Sequence, residues 1–164
     1  MRKSFRARLV VVPAGVILAL SAAGAWNSAL ATAPTGETAT PLARGAIDAS
    51  ANINRKVGDG SVRLKTDGDL DALTVEITLA PGGTGGWHSH SGPLITIVKQ
   101  GSLTLLDDSC VPLEIGAGHA AILSGSMAKD ENRGTTPVTF DVTFLIPRGA
   151  PPRIDEPAPA GCTD

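Results

Sequence analysis

Two imidazoles two residues apart, His88 and His90 in Trp87-His88-Ser89-His90, are the side chains of this sequence best suited to chemistry. On a β-strand, residues two apart point to the same face. Both rings would then be aimed into one space, which is how a sheet presents histidines to a metal ion. Alone the pair is a weak signal, because two histidines on a glycine-rich loop are more often solvated than ligating. Its frame adds weight: Gly82 precedes it, and Gly101 follows the apolar run Leu94-Ile95-Thr96-Ile97-Val98. No Ser-His-Asp order or pair of carboxylates competes as a catalytic constellation. Gly82, Gly83, Gly85 and Gly86 are followed by neither the helix nor the lysine of a phosphate cradle.

This segment resembles the first motif of the cupin superfamily: glycine, five residues, His-x-His, three or four residues, glutamate, six residues, glycine. Here Leu94 stands where the motif has its glutamate, and the frame then closes on Gly101. The second motif, Pro-x-Gly, two residues, His, three residues, Asn, falls on Leu123 to Asn132. That stretch keeps Gly125 and Asn132 but carries Leu123 for the proline and Ala128 for the histidine. The resemblance spans roughly Leu42 to Ile154. It is strongest to small secreted bacterial cupins with a Trp-His-Ser-His core and a tail like Pro151-Pro152-Arg153-Ile154-Asp155. It implies an all-β fold, the double-stranded β-helix or cupin jelly-roll barrel. It also implies a metal shell of three histidines and one glutamate, of which Leu94 and Ala128 remove two members.

Alternation places Leu94, Thr96 and Val98 inside with the histidines if the glutamate position faces inward. On the later strand Ala128, Asp130 and Asn132 share a face, and Lys129 and Glu131 point away. The expected pocket lining is therefore Leu94, Thr96, Ala128 and Asn132. Asp130, two residues beyond the lost histidine, could occupy part of the vacated coordination space. The other reading is a solvated acid in the charge run Lys129-Asp130-Glu131-Asn132-Arg133. His119 follows Gly116-Ala117-Gly118 at a strand entrance, away from the missing ligand position. Trp87 points away from His88 and would pack or cover the mouth. Two histidines plus water would hold a divalent ion (Mn, Fe, Zn, Ni or Cu) weakly, with binding fading as pH falls through ~6.5. Open positions on such an ion would leave room for Lewis-acid or oxygenase chemistry.

The N-terminus reads as an export signal. Arg2, Lys3, Arg6 and Arg8 precede the apolar run Leu9 to Ala25, and Ala29-Leu30-Ala31 offers a small-x-small cleavage site. An uncleaved anchor is the alternative, since the run is nearly long enough to span a bilayer; Pro13 and the Ala-rich site favour cleavage. Cleavage would leave ten basic against 16 acidic side chains, a net charge of −6. An acidic chain of this kind argues against nucleic acid and anionic membrane as partners. The only cysteines, Cys110 and Cys162, are expected to form one disulfide in an oxidising compartment.

With 19 glycines, 12 prolines and 3% aromatic residues, the composition suits a turn-rich β domain. Leu73 to Leu79 and Val138 to Phe144 alternate cleanly; shorter strands are expected at Ser61 to Thr66, Leu94 to Gln100, Ser102 to Asp107 and His119 to Leu123. Turn clusters are read at Thr66 to Asp69, Pro81 to Gly86, Asp107 to Ser109, Gly116 to Gly118 and Arg133 to Pro137. The expected organisation is a signal peptide over 1–31, a flexible lead over 32–41, the barrel over 42–150 and a Pro/Ala-rich tail over 151–164, tied back by the disulfide. Leu94 to Val98 is apolar on both faces apart from Thr96, so its outer face should be covered, either by a second subunit in a homodimer or by tight barrel closure. Three functions fit: a secreted metal-binding barrel with small-molecule chemistry, of oxygenase or isomerase type; a metal-free barrel holding a small ligand; or a structural scaffold with a decayed site.

Overall fold

The computed structural model describes residues 31–162, so the expected export signal lies outside the described residues except for Ala31. Eleven strands and no helix make up the described chain: β1 (Thr35–Ile47), β2 (Ala51–Val57), β3 (Gly60–Thr66), β4 (Leu70–Ser89), β5 (Leu94–Gln100), β6 (Ser102–Asp107), β7 (Pro112–Gly116), β8 (Ala120–Leu123), β9 (Ala128–Glu131), β10 (Val138–Pro147) and β11 (Ile154–Asp155). Nine form one sheet in the order β7-β6-β9-β4-β10-β5-β8, with β1 and β11 also paired to β4. The sheet curls into a nearly closed barrel, the all-β double-stranded β-helix expected from the sequence.

Two alternating segments build the wall. Leu73, Val75 and Leu79 of β4 are buried, as are Val138, Phe140, Val142, Phe144 and Ile146 of β10. The two strands run antiparallel with Val75 opposite Val142 and Leu73 opposite Phe144, so their apolar rows meet on one face. With Leu94, Val98, Leu103, Leu105 and Ile115 they form a single core cluster.

The turn expected at Pro81 to Gly86 lies instead inside β4, which is 20 residues long. β10 and most of β1 pair with the strand up to Leu79, and β9 and β11 pair with it from Thr84 onward. Its glycines serve a corner between two sets of partners: Gly82 has φ +72°, a conformation that a side chain would strain. Asn132 holds the corner by donating its backbone N–H to the Gly83 carbonyl and accepting from Gly82 N–H.

The lead expected at Thr32 to Pro41 is largely strand. β1 begins at Thr35, and Pro41 sits opposite Val75. Its Thr, Ala, Pro and Gly content reads as linker, but the free edge of β4 supplies backbone partners that composition does not reveal. Proline is tolerated on such an edge, and the register shifts between Pro41 and Ala43. Ala51–Val57, not expected as a strand, pairs with β3 in a separate two-stranded sheet. Its side chains are almost all exposed, so no buried face marks it in the sequence.

Among the described residues nothing covers the outer face of β5. Ile95 and Ile97 are 42% and 47% exposed, and Ile122, the cross-strand neighbour of Ile95, is 81% exposed.

Candidate functional site

The end of β4 carries His88, and His90 just beyond it, to the mouth of a cavity of about 240 Å³ inside the barrel. Glu37, His88, His90, Asp130 and Arg153 bring polar groups to it; Leu73, Val75, Phe140, Val142 and Phe144 are among its apolar walls. Leu94, Thr96 and Ala128 line it, as alternation predicts. Asn132 does not. It follows the end of β9 at the β4 corner, where its Nδ2 donates to the carbonyls of Leu79, Ala80 and Thr136 at 3.0, 3.1 and 2.9 Å. Those carbonyls turn the amide away from the cavity.

Each histidine is held through Nδ1. His88 Nδ1 lies 2.9 Å from the Gly86 carbonyl and His90 Nδ1 2.7 Å from the Pro152 carbonyl. A carbonyl only accepts, so Nδ1 carries the proton in both rings and Nε2 keeps its lone pair. This is the tautomer of a ligating histidine, with the outer nitrogen fixed by a backbone acceptor. The ring centroids are 4.7 Å apart, and His90 packs on Phe144 at 5.1 Å. Burial pushes both histidines down to about 4; the Arg153 guanidinium adds to the effect.

Asp130 faces the same space. Its Oδ1 is 3.7 Å from His88 Nε2, beyond hydrogen-bond reach, and its Oδ2 is buried with no hydrogen-bond partner among the described residues. Burial raises its carboxyl to about 6, against the pull of Arg153. Gly85 makes room for it: a Cβ there would collide with the Asp130 carboxyl group. Lys129 and Glu131, on the opposite face, pair with each other at 2.9 Å.

Three contributors escape a sequence reading. Glu37 comes from β1, and burial with the nearby Asp130 charge raises its carboxyl. Pro152 and Arg153 come from the tail, which returns across the mouth. β11 pairs with Ser89 and His88 of β4, Ser89 Oγ donates to Glu156 at 2.8 Å, and Arg153 donates to the Gly85 carbonyl and to Asp155. The disulfide between Cys110 and Cys162, expected from the sequence, ties this tail to the β6–β7 turn. His119 is exposed before β8 and outside the cavity. Trp87 is fully buried, pointing away from His88.

Among the described residues no three His, Cys, Asp or Glu side chains gather closely enough to hold an ion together. The donor set is two imidazole lone pairs with one carboxylate beside them, whose Oδ2 has no hydrogen-bond partner among the described residues. That set fits an ion held by two protein ligands and solvent, not one enclosed by four side chains.

No family model and no curated protein matches the chain. Among solved structures it is similar to the Cupin_2 domain of an XRE family transcriptional regulator from Enterobacter cloacae, at 21% identity over 47% of this chain and 83% of that one, TM-score 0.42. It is similar to a cupin domain from Bordetella pertussis, at 19% identity over 58% and 92% of the two chains, TM-score 0.42. It is also similar to the polyketide cyclase RemF from Streptomyces resistomycificus, at 22% identity over 51% and 59%, TM-score 0.44. None of these likenesses carries an activity over to this chain.

Proposed function

We propose that this protein is an exported, small-molecule-binding barrel of the cupin type whose His88 and His90 hold a divalent metal ion weakly. The observation that supports it best is the shared tautomer: two Nδ1–H groups bound to backbone carbonyls leave two Nε2 lone pairs facing one cavity. A bound ion would supply Lewis-acid polarisation of an oxygen on the ligand. His88 and His90 would hold it, Asp130 would lie beside it, and the apolar walls would exclude water. Calorimetric titration of Mn²⁺, Zn²⁺, Ni²⁺ and Cu²⁺ into untagged protein tests this. Weak, exchangeable binding by wild type, lost in the His88→Ala/His90→Ala double variant, is expected; equal binding by both would refute the site.

A metal-free ligand-binding barrel is the second reading, favoured by the absence of a three-residue ligand group among the described residues. Export is part of the proposal, and N-terminal sequencing of the exported chain should begin at Thr32. We further propose a homodimer built on the contiguous Ile95, Ile97 and Ile122 face. Light scattering should give twice the chain mass for wild type and a monomer for Ile95→Lys/Ile122→Lys.

A further inference from the structure

The polar end of the cavity offers acceptors rather than free donors. His88 and His90 have each committed their one N–H to a backbone carbonyl, so Nε2 in both rings can only accept. Asp130 adds a carboxyl group whose Oδ2 has no partner among the described residues, on a side chain 8% exposed. A buried acceptor left unmatched is costly, so a ligand that supplies a donor is favoured. Arg153 is the cationic group at this end, and it already donates to Gly85 and Asp155.

The head group of the ligand is then constrained on both sides. A carboxylate or phosphate head would meet two lone pairs and the Asp130 and Glu37 carboxyls. An ammonium head would enter apolar walls beside the Arg153 guanidinium and lose its hydration there. A neutral hydroxyl meets neither objection, since it donates one hydrogen bond and brings no charge. The body of the ligand is constrained by volume and by wall chemistry. An apolar cavity of about 150 Å³ accommodates benzene, and this one is about 240 Å³. It therefore takes one ring with a short substituent, packed against Leu73, Val75, Phe140, Val142 and Phe144.

We propose that the barrel binds a compact, single-ring phenol, with the hydroxyl donating to Nε2 of His88 or His90 and the ring filling the apolar floor. Such binding rests on the same cavity as the function proposed above, but not on a metal ion.

The test uses the exported protein after EDTA treatment and dialysis. It compares para-ethylphenol with para-ethylanisole, which lacks the donor, para-ethylbenzoate, which is anionic, and para-ethylbenzylammonium, which is cationic. Calorimetry should show the phenol binding at least about tenfold tighter than each of the other three, as loss of one good hydrogen bond implies. In wild type labelled with ¹⁵N-histidine, a lone-pair Nε2 resonance should move upfield with the phenol and stay in place with the anisole, a readout that needs no variant. His88→Leu/His90→Leu, which removes both imidazole acceptors, should bring phenol and anisole to within twofold of each other. Equal affinity for phenol and anisole in wild type, preference for either ion, or phenol binding only after Zn²⁺ is restored would overturn the proposal. Phenol binding by a protein that fails to take up any of the four metals would sustain it while removing the metal reading.

Discussion

Committing Nδ1 of His88 and His90 to the Gly86 and Pro152 carbonyls fixes what these rings can do. Single His88→Ala and His90→Ala variants should each abolish metal uptake, because one imidazole cannot hold an ion against water. Asp130→Asn should weaken it, since that carboxylate lies 3.7 Å from His88, and His119→Ala should leave it unchanged. Proton competition should also start lower than a free histidine suggests. Both rings are pushed down to about 4, so uptake should persist below pH 6.5 and fade nearer 4 to 5. Metal titrations in steps of half a pH unit check the midpoint; loss centred at 6.5 would contradict the burial argument. Asn132 acts on shape instead. Its side chain serves three carbonyls and accepts from Gly134 N–H at 2.9 Å. Asn132→Ala should cost about 2–3 kcal/mol, read from urea midpoints.

Among the strands, β11 and the tail around it complete the site. Pro152 supplies the carbonyl that orients His90, and Arg153 lines the cavity. The Cys110–Cys162 bridge, spanning 52 residues, holds the end of that tail. Loop entropy gives such a closure about 4 kcal/mol at most. Reduction should therefore free the tail before the barrel melts. Hydrogen exchange at Ile154 to Glu156 should rise in Cys110→Ser/Cys162→Ser while β4 and β10 stay protected. Metal affinity should fall with it, because His90 loses a fixed orientation. Unchanged exchange in the tail would show that β11 pairing alone secures it.

For the whole molecule, the site makes stability depend on pH. His88 and His90 titrate near 4 when folded and near 6.5 when unfolded. The unfolded chain thus binds more protons in that window, so their contribution is full above pH 6.5 and is lost as pH falls toward 4. Asp130, raised to about 6, has the opposite sign: the folded chain holds its proton more tightly between 6 and 3.8, which adds stability on acidification. Glu37, also raised, acts in the same direction as Asp130. Two histidines outweigh one strongly shifted carboxyl from pH 7 to pH 5. Denaturant midpoints should fall over that range by the equivalent of a loss on the order of 2 kcal/mol. The His88→Ala/His90→Ala variant should be flat or rise slightly, since only the carboxyls remain.

Alternation in Leu73 to Leu79 and Val138 to Phe144 was enough to read a barrel wall, because a period of two is local and burial on one face leaves a direct trace. The placement of His88, His90, Leu94, Thr96, Ala128 and Asp130 around one space follows from the same rule; the pairing of Cys110 with Cys162 follows instead from their being the only two cysteines of the sequence. Other features depended on pairing across the chain. β1 carries no apolar row, and only the unpaired edge of β4 makes it a strand. The corner at Gly82 looks like a turn until Asn132 is found bonded across it. That bonding also turns Asn132 away from the cavity that alternation assigned to it. Glu37, Pro152 and Arg153 reach the histidines from opposite ends of the sequence. Side-chain periodicity is written within each strand, but which strand lies beside which is decided by backbone hydrogen bonds, whose acceptor every residue carries and whose donor every residue but proline carries.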